Sequence, residues 1–415
     1  MQYMFQRKQN RMWLAGCVAL IILFYGLYLM TSENTPAWHN MAKLFIKNDK
    51  SDVAGDYFRI NGNSIILFNI NQPATAFKPI EHPEDPNAKV EYTEPWMGDV
   101  NERLNRRTVE FFRGTINDGL IRHFSHPGQD GAWAYSPNWN TIYISTDWVD
   151  FKDPDSSSPH TFTLWRSTDG GYTWKQLDWP RARSINQLFF LDAQRGYAVG
   201  WPSIWRTADG GHSWQEIKAP AIAKDKHLDA VDLGADGVLR VAYYVKQKGD
   251  IHESTIVDRL AWDRDTFEQD VVLPGQTVID MKSSVVIPGT ACKNYVVSSL
   301  GLPYDDSNPD DNGRRTKAIS SWVSGPKPVV EQLRTFDSDW GIDTLPFLQV
   351  GRRGVIFVHA TDTNMQDAIF ASTDDGKSWK AIKQDTLFAM SPNDFDPDTN
   401  TKYVIEDNML MKQVW

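Results

Sequence analysis

The chain has 415 residues, among them 17 Trp and 20 Phe, enough large apolar side chains for one large domain or two ordinary ones. A formal net charge of −10 and no basic stripe beyond residue 12 exclude a nucleic-acid-binding face. Only two cysteines occur, Cys17 and Cys292, which excludes a disulfide framework and any site built on paired cysteines.

Residues 1–12 carry Arg7, Lys8 and Arg11 and no acid. A charge-free run follows, Trp13 to Met30, which at helical rise reaches about 27 Å, enough to cross a bilayer. Basic residues before the run and Glu33 after it orient the N-terminus to the cytoplasm and export the rest. No small-x-small site closes the run, as cleavage would need. Leu14-Ala15-Gly16-Cys17 is similar to a lipobox, but the apolar stretch follows the cysteine instead of preceding it. The reading is therefore a signal anchor over 13–30, single-pass in a bacterial inner membrane, with the soluble domain in the periplasm. Residues 31–55 read as a linker, with a short helix near Trp38 to Phe45.

From residue 56 to 415 the pattern is strand after strand. Tyr57 to Ile60 and Ile65 to Ile70 flank Asn61-Gly62-Asn63, a hairpin signal. Residues 71–107 are rich in Pro and charge and read as a long loop, with a brief helix over Asp99 to Arg107. Thr108 to Arg113 and Leu120 to Phe124 are further strands. Ser184 to Ala219 holds four short strands, the economy of a propeller blade.

Three octapeptides repeat one form: hydroxyl, any, Asp, any, Gly, any, hydroxyl, Trp. They are Ser167 to Trp174, Thr207 to Trp214 and Ser372 to Trp379. The Asp and hydroxyl side chains suit bonds to backbone N–H groups two residues on, and Gly suits the positive φ of a tight hairpin. The first two Asp residues are 209 − 169 = 40 apart and the next pair 374 − 209 = 165, close to four periods. Trp262-Asp263-Arg264-Asp265-Thr266-Phe267 reads as a decayed copy.

These stretches resemble the Asp-box of the bacterial-neuraminidase-repeat propellers. Gly196 to Gly200 followed by Trp205 to Gly211 also resembles the repeat of photosystem-assembly-factor propellers. In the Asp-box family the boxes lie on outer hairpins, away from the axis where ligands bind. The resemblance thus implies a structural role for Ser167, Asp169, Gly171 and Trp174, for Thr207, Asp209, Gly211 and Trp214, and for Ser372, Asp374, Gly376 and Trp379. The fold class is all-β, a propeller of four-stranded blades. Blades end near Leu177, Ile217, Leu273, Leu333 and Ile382. Lys402 to Glu406 and Met409 to Val414 would close the ring with Tyr57 to Ile70, giving six blades, with Thr108 to Phe124 as the source of a seventh. Two sandwich domains are the rival, against which the repeat runs across any midpoint.

The same family contains sialidases, which need an Arg clamp for a sugar carboxylate and a Tyr nucleophile. Phe58-Arg59-Ile60-Asn61 matches the expected Arg-Ile-Pro in part, and no motif selects among Arg113, Arg122, Arg240 and Arg259 as companions. His123 and His126 would share a site only in a helix, which Pro127 and Gly128 oppose. No HExxH, phosphate loop or nucleophile elbow occurs. Asp305 to Gly313 is similar to half a calcium loop, with Asn308, Asp310 and Asn312 as ligands, but the twelfth position is Ile319, not Glu. It reads as a solvated acidic loop, and Asp394 to Asn400 is a weaker case. No catalytic, cofactor or metal residue is assigned. Trp133, Trp139, Trp148, Trp165, Trp179, Trp201 and Trp205 crowd one third of the chain, either between blades or on an interaction surface.

Without a catalytic constellation, the expected function is protein binding at the periplasmic face of the inner membrane. The layout resembles immunity proteins that neutralise phospholipase effectors of type VI secretion, which implies a secreted lipase effector as partner. Asp150 to Pro159 and Tyr304 to Arg314 are the candidate loops. An assembly factor for a membrane complex and a sialidase-like glycosidase are the alternatives.

Overall fold

Among the described residues, short apolar runs cut by Gly and Asp turns form 28 strands. The structure is a computed structural model describing residues 39–44, 57–71, 108–128, 132–136, 139–149, 160–179, 185–200, 203–217, 228–246, 253–284, 292–300, 315–338, 348–361, 367–382, 393–396, 398–406 and 409–415. The expected anchor over 13–30 and the loops 71–107, 150–159 and 304–314 lie outside these residues or meet them only at an end. Among the described residues no helix is long and apolar enough to cross a membrane.

The strands form seven four-stranded sheets. Blade 1 is β2 (Tyr57–Asn61), β3 (Ser64–Asn71), β4 (Thr108–Thr115) and β5 (Gly119–Pro127). Blade 2 is β6 (Trp133–Tyr135), β7 (Ile142–Val149), β8 (His160–Ser167) and β9 (Lys175–Leu177). Blade 3 is β10 (Gln187–Phe190), β11 (Gly196–Val199), β12 (Ile204–Thr207) and β13 (Gln215–Ile217). Blade 4 is β14 (Leu228–Leu233), β15 (Leu239–Lys246), β16 (Glu253–Leu260) and β17 (Glu268–Pro274). Blade 5 is β18 (Gln276–Ser283), β19 (Lys293–Leu300), β20 (Arg315–Val323) and β21 (Glu331–Ser338). Blade 6 is β22 (Leu348–Val350), β23 (Ile356–Thr361), β24 (Asp367–Ser372) and β25 (Lys380–Ile382). Blade 7 joins β26 (Asn393–Asp396), β27 (Thr401–Glu406) and β28 (Met409–Val414) to β1 (His39–Lys43) from the other end of the chain.

Seven apolar clusters stand one between each successive pair of blades. Phe68 and Phe111 of blade 1 meet Ile142 and Ile144 of blade 2. Leu164 and Leu177 meet Leu188 and Trp205 of blade 3, and Tyr197 and Ile204 meet Val241 and Leu260 of blade 4. Val257 and Leu273 meet Met281 and Trp322 of blade 5, and Tyr295 and Ile319 meet Leu348 and Ile356 of blade 6. Phe357 meets Trp415, and Ile405 and Leu410 meet Phe58 and Leu120 to complete the ring. Each buried Leu or Phe stabilises by about 1.5–3 kcal/mol, whereas a single hydrogen bond nets about 1 kcal/mol. Apolar burial therefore dominates adhesion between blades, and polar contacts set their register.

The structure is a seven-bladed β-propeller, and it resolves the expected count of six or seven. Tyr57–Asn61 pairs with Ser64–Asn71, which pairs in turn with Thr108–Thr115 inside a complete first blade. They are thus not free to close the ring. Closure falls instead to His39–Lys43, which pairs with β28 in the register His39 with Lys412 and Lys43 with Met409. The expected short helix near Trp38 to Phe45 is therefore a strand, and the propeller begins inside the stretch read as linker. An extended edge shared with β28 satisfies its backbone groups in a way that one isolated helical turn cannot.

Strand direction alternates within each blade. First-to-second and third-to-fourth connections therefore share one face, and second-to-third and blade-to-blade connections share the other. The first, the turn face, holds hairpins such as Asn61 to Ser64 and Thr115 to Gly119. The second, the loop face, is where the chain leaves and rejoins the strands around 72–107, 150–159, 218–227, 301–314, 339–347 and 383–392.

Candidate binding surfaces

All three octapeptides sit on third-to-fourth-strand hairpins and make the same bonds. In the first, Ser167 Oγ donates to Asp169 Oδ1 at 2.8 Å and accepts from the Gly171 amide at 2.7 Å. Asp169 accepts the Thr173 amide at 2.9 Å and the Thr173 hydroxyl at 2.6 Å. Trp174 Nε1 donates to the Gly171 carbonyl at 2.9 Å. Thr207, Asp209, Gly211, Ser213 and Trp214 repeat the set, as do Ser372, Asp374, Gly376, Ser378 and Trp379. Bonds from Thr173 hold the Asp169 carboxyl down to about 2. Asp374, bonded first by Ser378, is likewise at about 2. For Asp209, burial acts upward, but the Ser213 and Thr207 bonds outweigh it and hold it at about 2. These carboxylates are committed to their own turns.

Each turn also locks onto its surroundings. Its fourth residue donates an amide to the first hairpin of its own blade: Gly170 to Asn140, Gly210 to Gln194, Asp375 to Gly354. It then meets the preceding blade. Arg113 Nη1 of blade 1 donates to the Gly170 carbonyl. Tyr143 of blade 2 donates to the Gly210 carbonyl at 3.1 Å. In the third turn the fourth residue is Asp375 at φ 67°, where the others have Gly. Its carboxylate accepts from Lys293 Nζ of blade 5 at 2.7 Å and from the Tyr295 hydroxyl. The stretch Trp262 to Phe267 is docked in the same style, with Arg206 of blade 3 donating to the carbonyls of Trp262 and Arg264 at 3.0 and 2.9 Å and pairing with Asp265 at 2.5 Å. Arg166 and Arg206 each stand immediately before a box hydroxyl, a signal that could have been read in the sequence.

The companions weighed for a sialidase clamp do not converge. Arg59 Nε donates to the Tyr135 hydroxyl at 2.9 Å. Arg113 is taken by the first box, Arg122 pairs with Glu110 at 2.7 Å, and Arg259 pairs with Glu268 at 3.3 Å. Arg240 is buried, bonded to Asp236 at 2.7 Å and 3.5 Å from Asp270. His123 and His126 diverge. His123 is the extra residue of a bulge opposite Phe111 and Phe112 and lies edge-on to Tyr172, whereas His126 bonds the Thr146 hydroxyl at 3.1 Å. No group of three potential metal ligands occurs among the described residues. Trp139, Trp179 and Trp205 are buried; Trp133 stacks on Phe68 of blade 1, and Trp165 meets Phe124. These five serve inter-blade contact. The side chains of Trp148 and Trp201 lie outside the described residues.

The axis holds a charged group with no local sequence signal. Lys282 on β18 stands 3.7 Å from Asp232 on β14 and 3.9 Å from Asp280. Arg59, on the first strand of blade 1, also acts on its charge, and first strands line the central channel of a propeller. Protein crowds Lys282, yet water reaches 41% of its side chain, as expected along an open lumen. Burial acts to lower its pKa, but Asp232 and Asp280 overcome this and the net direction is up. Burial raises Asp280, opposed by Lys282 and by the Leu348 amide. The cluster neutralises itself and ties first strands together.

Two grooves open at the rim beside the second box. One, of about 560 Å³, lies between blades 2 and 3 and is lined by Phe162, Gln176, Trp179, His212 and Trp214. The other, of about 550 Å³, lies between blades 3 and 4 beside Arg206, Trp262 and Asp265.

No protein-family model matches the chain, and no curated protein is similar to it in sequence. Among solved structures it is similar to YCF48 bound to a D1 peptide, at 14% identity over 74% of this chain and 89% of that one, with a TM-score of 0.44. It is similar to an ancestral GH74 enzyme at 14% identity and TM-score 0.44, over 74% of this chain and 46% of that one. It is also similar to the Nup133 β-propeller domain of Vanderwaltozyma polyspora at 10% identity and TM-score 0.42, over 74% of this chain and 90% of that one. At these scores the likenesses carry no functional argument.

Proposed function

We propose that this protein is a non-enzymatic propeller that binds a protein partner through its loop face. The observation that carries the reading is the inequality of the two faces. Among the described residues the turn face is made of tight, self-bonded hairpins, and the strands on either side of 285–291 are joined there by a longer stretch of sequence. The six segments from 72–107 to 383–392 all join strands on the loop face. Long connections on a rigid scaffold are where binding residues concentrate. The engagement of the Arg59, Arg113, Arg122, Arg240 and Arg259 side chains in separate contacts favours binding over carboxylate-sugar hydrolysis.

In its finer form, the propeller is exported behind the signal anchor over 13–30 and acts in the periplasm as an immunity protein against a type VI secretion lipase effector. The acidic stretches Asp150 to Pro159 and Tyr304 to Arg314 would supply the contact. The test is survival of cells that carry a lipase effector directed to the periplasm. Co-production of the full chain should rescue growth. Replacing Asp305, Asp306, Asp310 and Asp311 with Asn should weaken the rescue while membrane levels of the protein stay unchanged. Failure to rescue any effector encoded beside it, with loss of a membrane complex on deletion, would move the reading to assembly.

A further inference from the structure

The groove of about 560 Å³ between blades 2 and 3 is lined wholly by described residues. Its size is that of a site for a small ligand or a few side chains. One side of it is aromatic. Phe162 comes from β8, Trp179 follows β9, and Trp214 ends the second box. Trp179 stands edge-on to Trp205 at 5.0 Å and to Trp214 at 5.3 Å, and Trp214 Nε1 donates to the Gly211 carbonyl at 3.1 Å. The rings are thus fixed before any ligand arrives. The polar side carries one formal charge, on Asp178. His212 Nε2 accepts from Arg166 Nη1 at 3.0 Å, so that nitrogen carries no proton. Asp178 is exposed, and among the described residues no cation or hydrogen-bond donor engages its carboxylate. Nor does a described cation stand over Trp214.

The groove between blades 3 and 4 shows what this chemistry holds. There Arg195 and Arg206 each lie over the Trp262 ring at 5.6 Å, and Arg206 pairs with Asp265 at 2.5 Å. Ring, carboxylate and guanidinium are all supplied by the chain itself. Among its described residues the groove between blades 2 and 3 has the ring and the carboxylate without the guanidinium. A guanidinium stacks flat on an indole and bonds a carboxylate through two N–H groups, whereas an ammonium is a point charge that does neither. β9 runs from the first box toward the loop face, so Asp178, just past its end, stands where the rim meets that face. We infer that this groove receives an arginine of a protein partner, its guanidinium bonded to Asp178 and stacked on Trp214, with a neighbouring apolar side chain against Phe162. A formal charge of −10 on the whole chain favours a basic segment in the same sense. The inference rests on the reading of the chain as a partner-binding propeller, and it adds the residue type that the partner presents.

The test uses the full chain in nanodiscs and a phage-displayed library of random heptapeptides, with empty nanodiscs to remove lipid binders. Enriched peptides should contain arginine. Asp178→Asn should weaken the synthetic peptides about tenfold while its urea midpoint stays unchanged, since the position is exposed. Exchange of the peptide arginine for lysine should weaken binding about threefold. With peptide bound, amide exchange should slow at 177–179 and 212–214. Equal binding to the Asp178→Asn protein, or enriched peptides without arginine that slow exchange elsewhere on the propeller, would overturn the inference and leave the partner reading standing. A selection that enriches nothing would also overturn it, and only failure of the rescue experiment besides would remove the partner reading. Peptide binding that appears only after Arg181→Ala and Arg183→Ala would make the chain's own segment past Trp179 the occupant, and the inference would fall.

Discussion

The interface between blades 1 and 2 and the one between blades 4 and 5 solve the same problem differently. At the first, a surface turn reaches over to its neighbour: Gly171 lies on Phe111, and Arg113 holds the Gly170 carbonyl. At the second, no box is present, and a buried polar chain joins the sheets. Arg240 faces Asp270, which accepts from Trp322 Nε1 at 3.0 Å and from the Ser324 hydroxyl at 2.7 Å. Asn294 bonds Ser324 in turn, and Ser283 bonds Asn294 and, through its amide, Asp232. A box fixes geometry with exposed groups that water can replace, so each loss is small. The buried chain fixes it with desolvated charge, so one deletion strands a partner.

The largest expected effect tests that difference directly. Asp270→Ala leaves the Arg240 guanidinium, 1% exposed, with Asp236 as its remaining carboxylate partner, and should cost about 3 kcal/mol in a urea midpoint measurement. Asp270→Asn keeps acceptors for Trp322 and Ser324 and should cost less. Next comes Gly171→Ala. Its φ is 94°, and a Cβ would lie 2.3 Å from Phe111 Cε1, so about 2 kcal/mol should be lost at the first interface. A similar size with opposite sign is expected of Lys402→Met in blade 7. Burial alone lowers Lys402 to about 8, and the side chain lies 5.9 Å from the Phe357 ring. Because its folded pKa lies below the unfolded value, it destabilises at pH 7, and this is relieved as pH rises through 8 toward 10.4. Lys402→Met should therefore raise the midpoint at pH 7 and lose its advantage near pH 10.

Smaller again is Asp169→Ala, which deletes the bonds from Thr173 and Ser167 at a site open to water and should cost about 1 kcal/mol. The smallest effect separates the two interfaces by pH. Box carboxylates held near 2 contribute stability present above about 4 and lost as pH falls toward 2. Asp258, in blade 4, is raised by burial, with its Tyr243 bond acting downward and Asp270 upward. A raised carboxyl has the opposite sign and favours the fold as pH falls. Amide exchange between pH 5 and pH 3 should thus speed up at Gly171, Gly211 and Gly376 relative to Val257. Equal changes would show that the boxes do not carry the acid response.

The box turns were legible because their whole bond set lies within eight residues, and spacing then carried the blade count most of the way. Blade ends near Leu177, Ile217 and Ile382 follow from that period. The closing strand was not legible: His-Asn-Met-Ala-Lys has no alternation, and its partner lies at the opposite end of the chain. Nor was the lumen group, since Arg59, Asp232 and Lys282 each look like an ordinary strand residue until seven first strands meet. Arg166 and Arg206 fall between these cases, visible beside the box hydroxyls but given meaning only by the neighbouring blade.

Ring closure by β1 has a temporal side. A chain delivered N-terminus first presents His39–Lys43 long before Met409–Val414 exists to receive it. Until then both the closing strand and the first blade keep an open flank, and every intermediate blade grows on an incomplete ring. Non-local pairing of this kind is the slow step of β folding. The last six residues before Trp415 therefore act as a latch, and a chain cut short there would leave the seam between blades 7 and 1 open to proteases and to other unfinished chains.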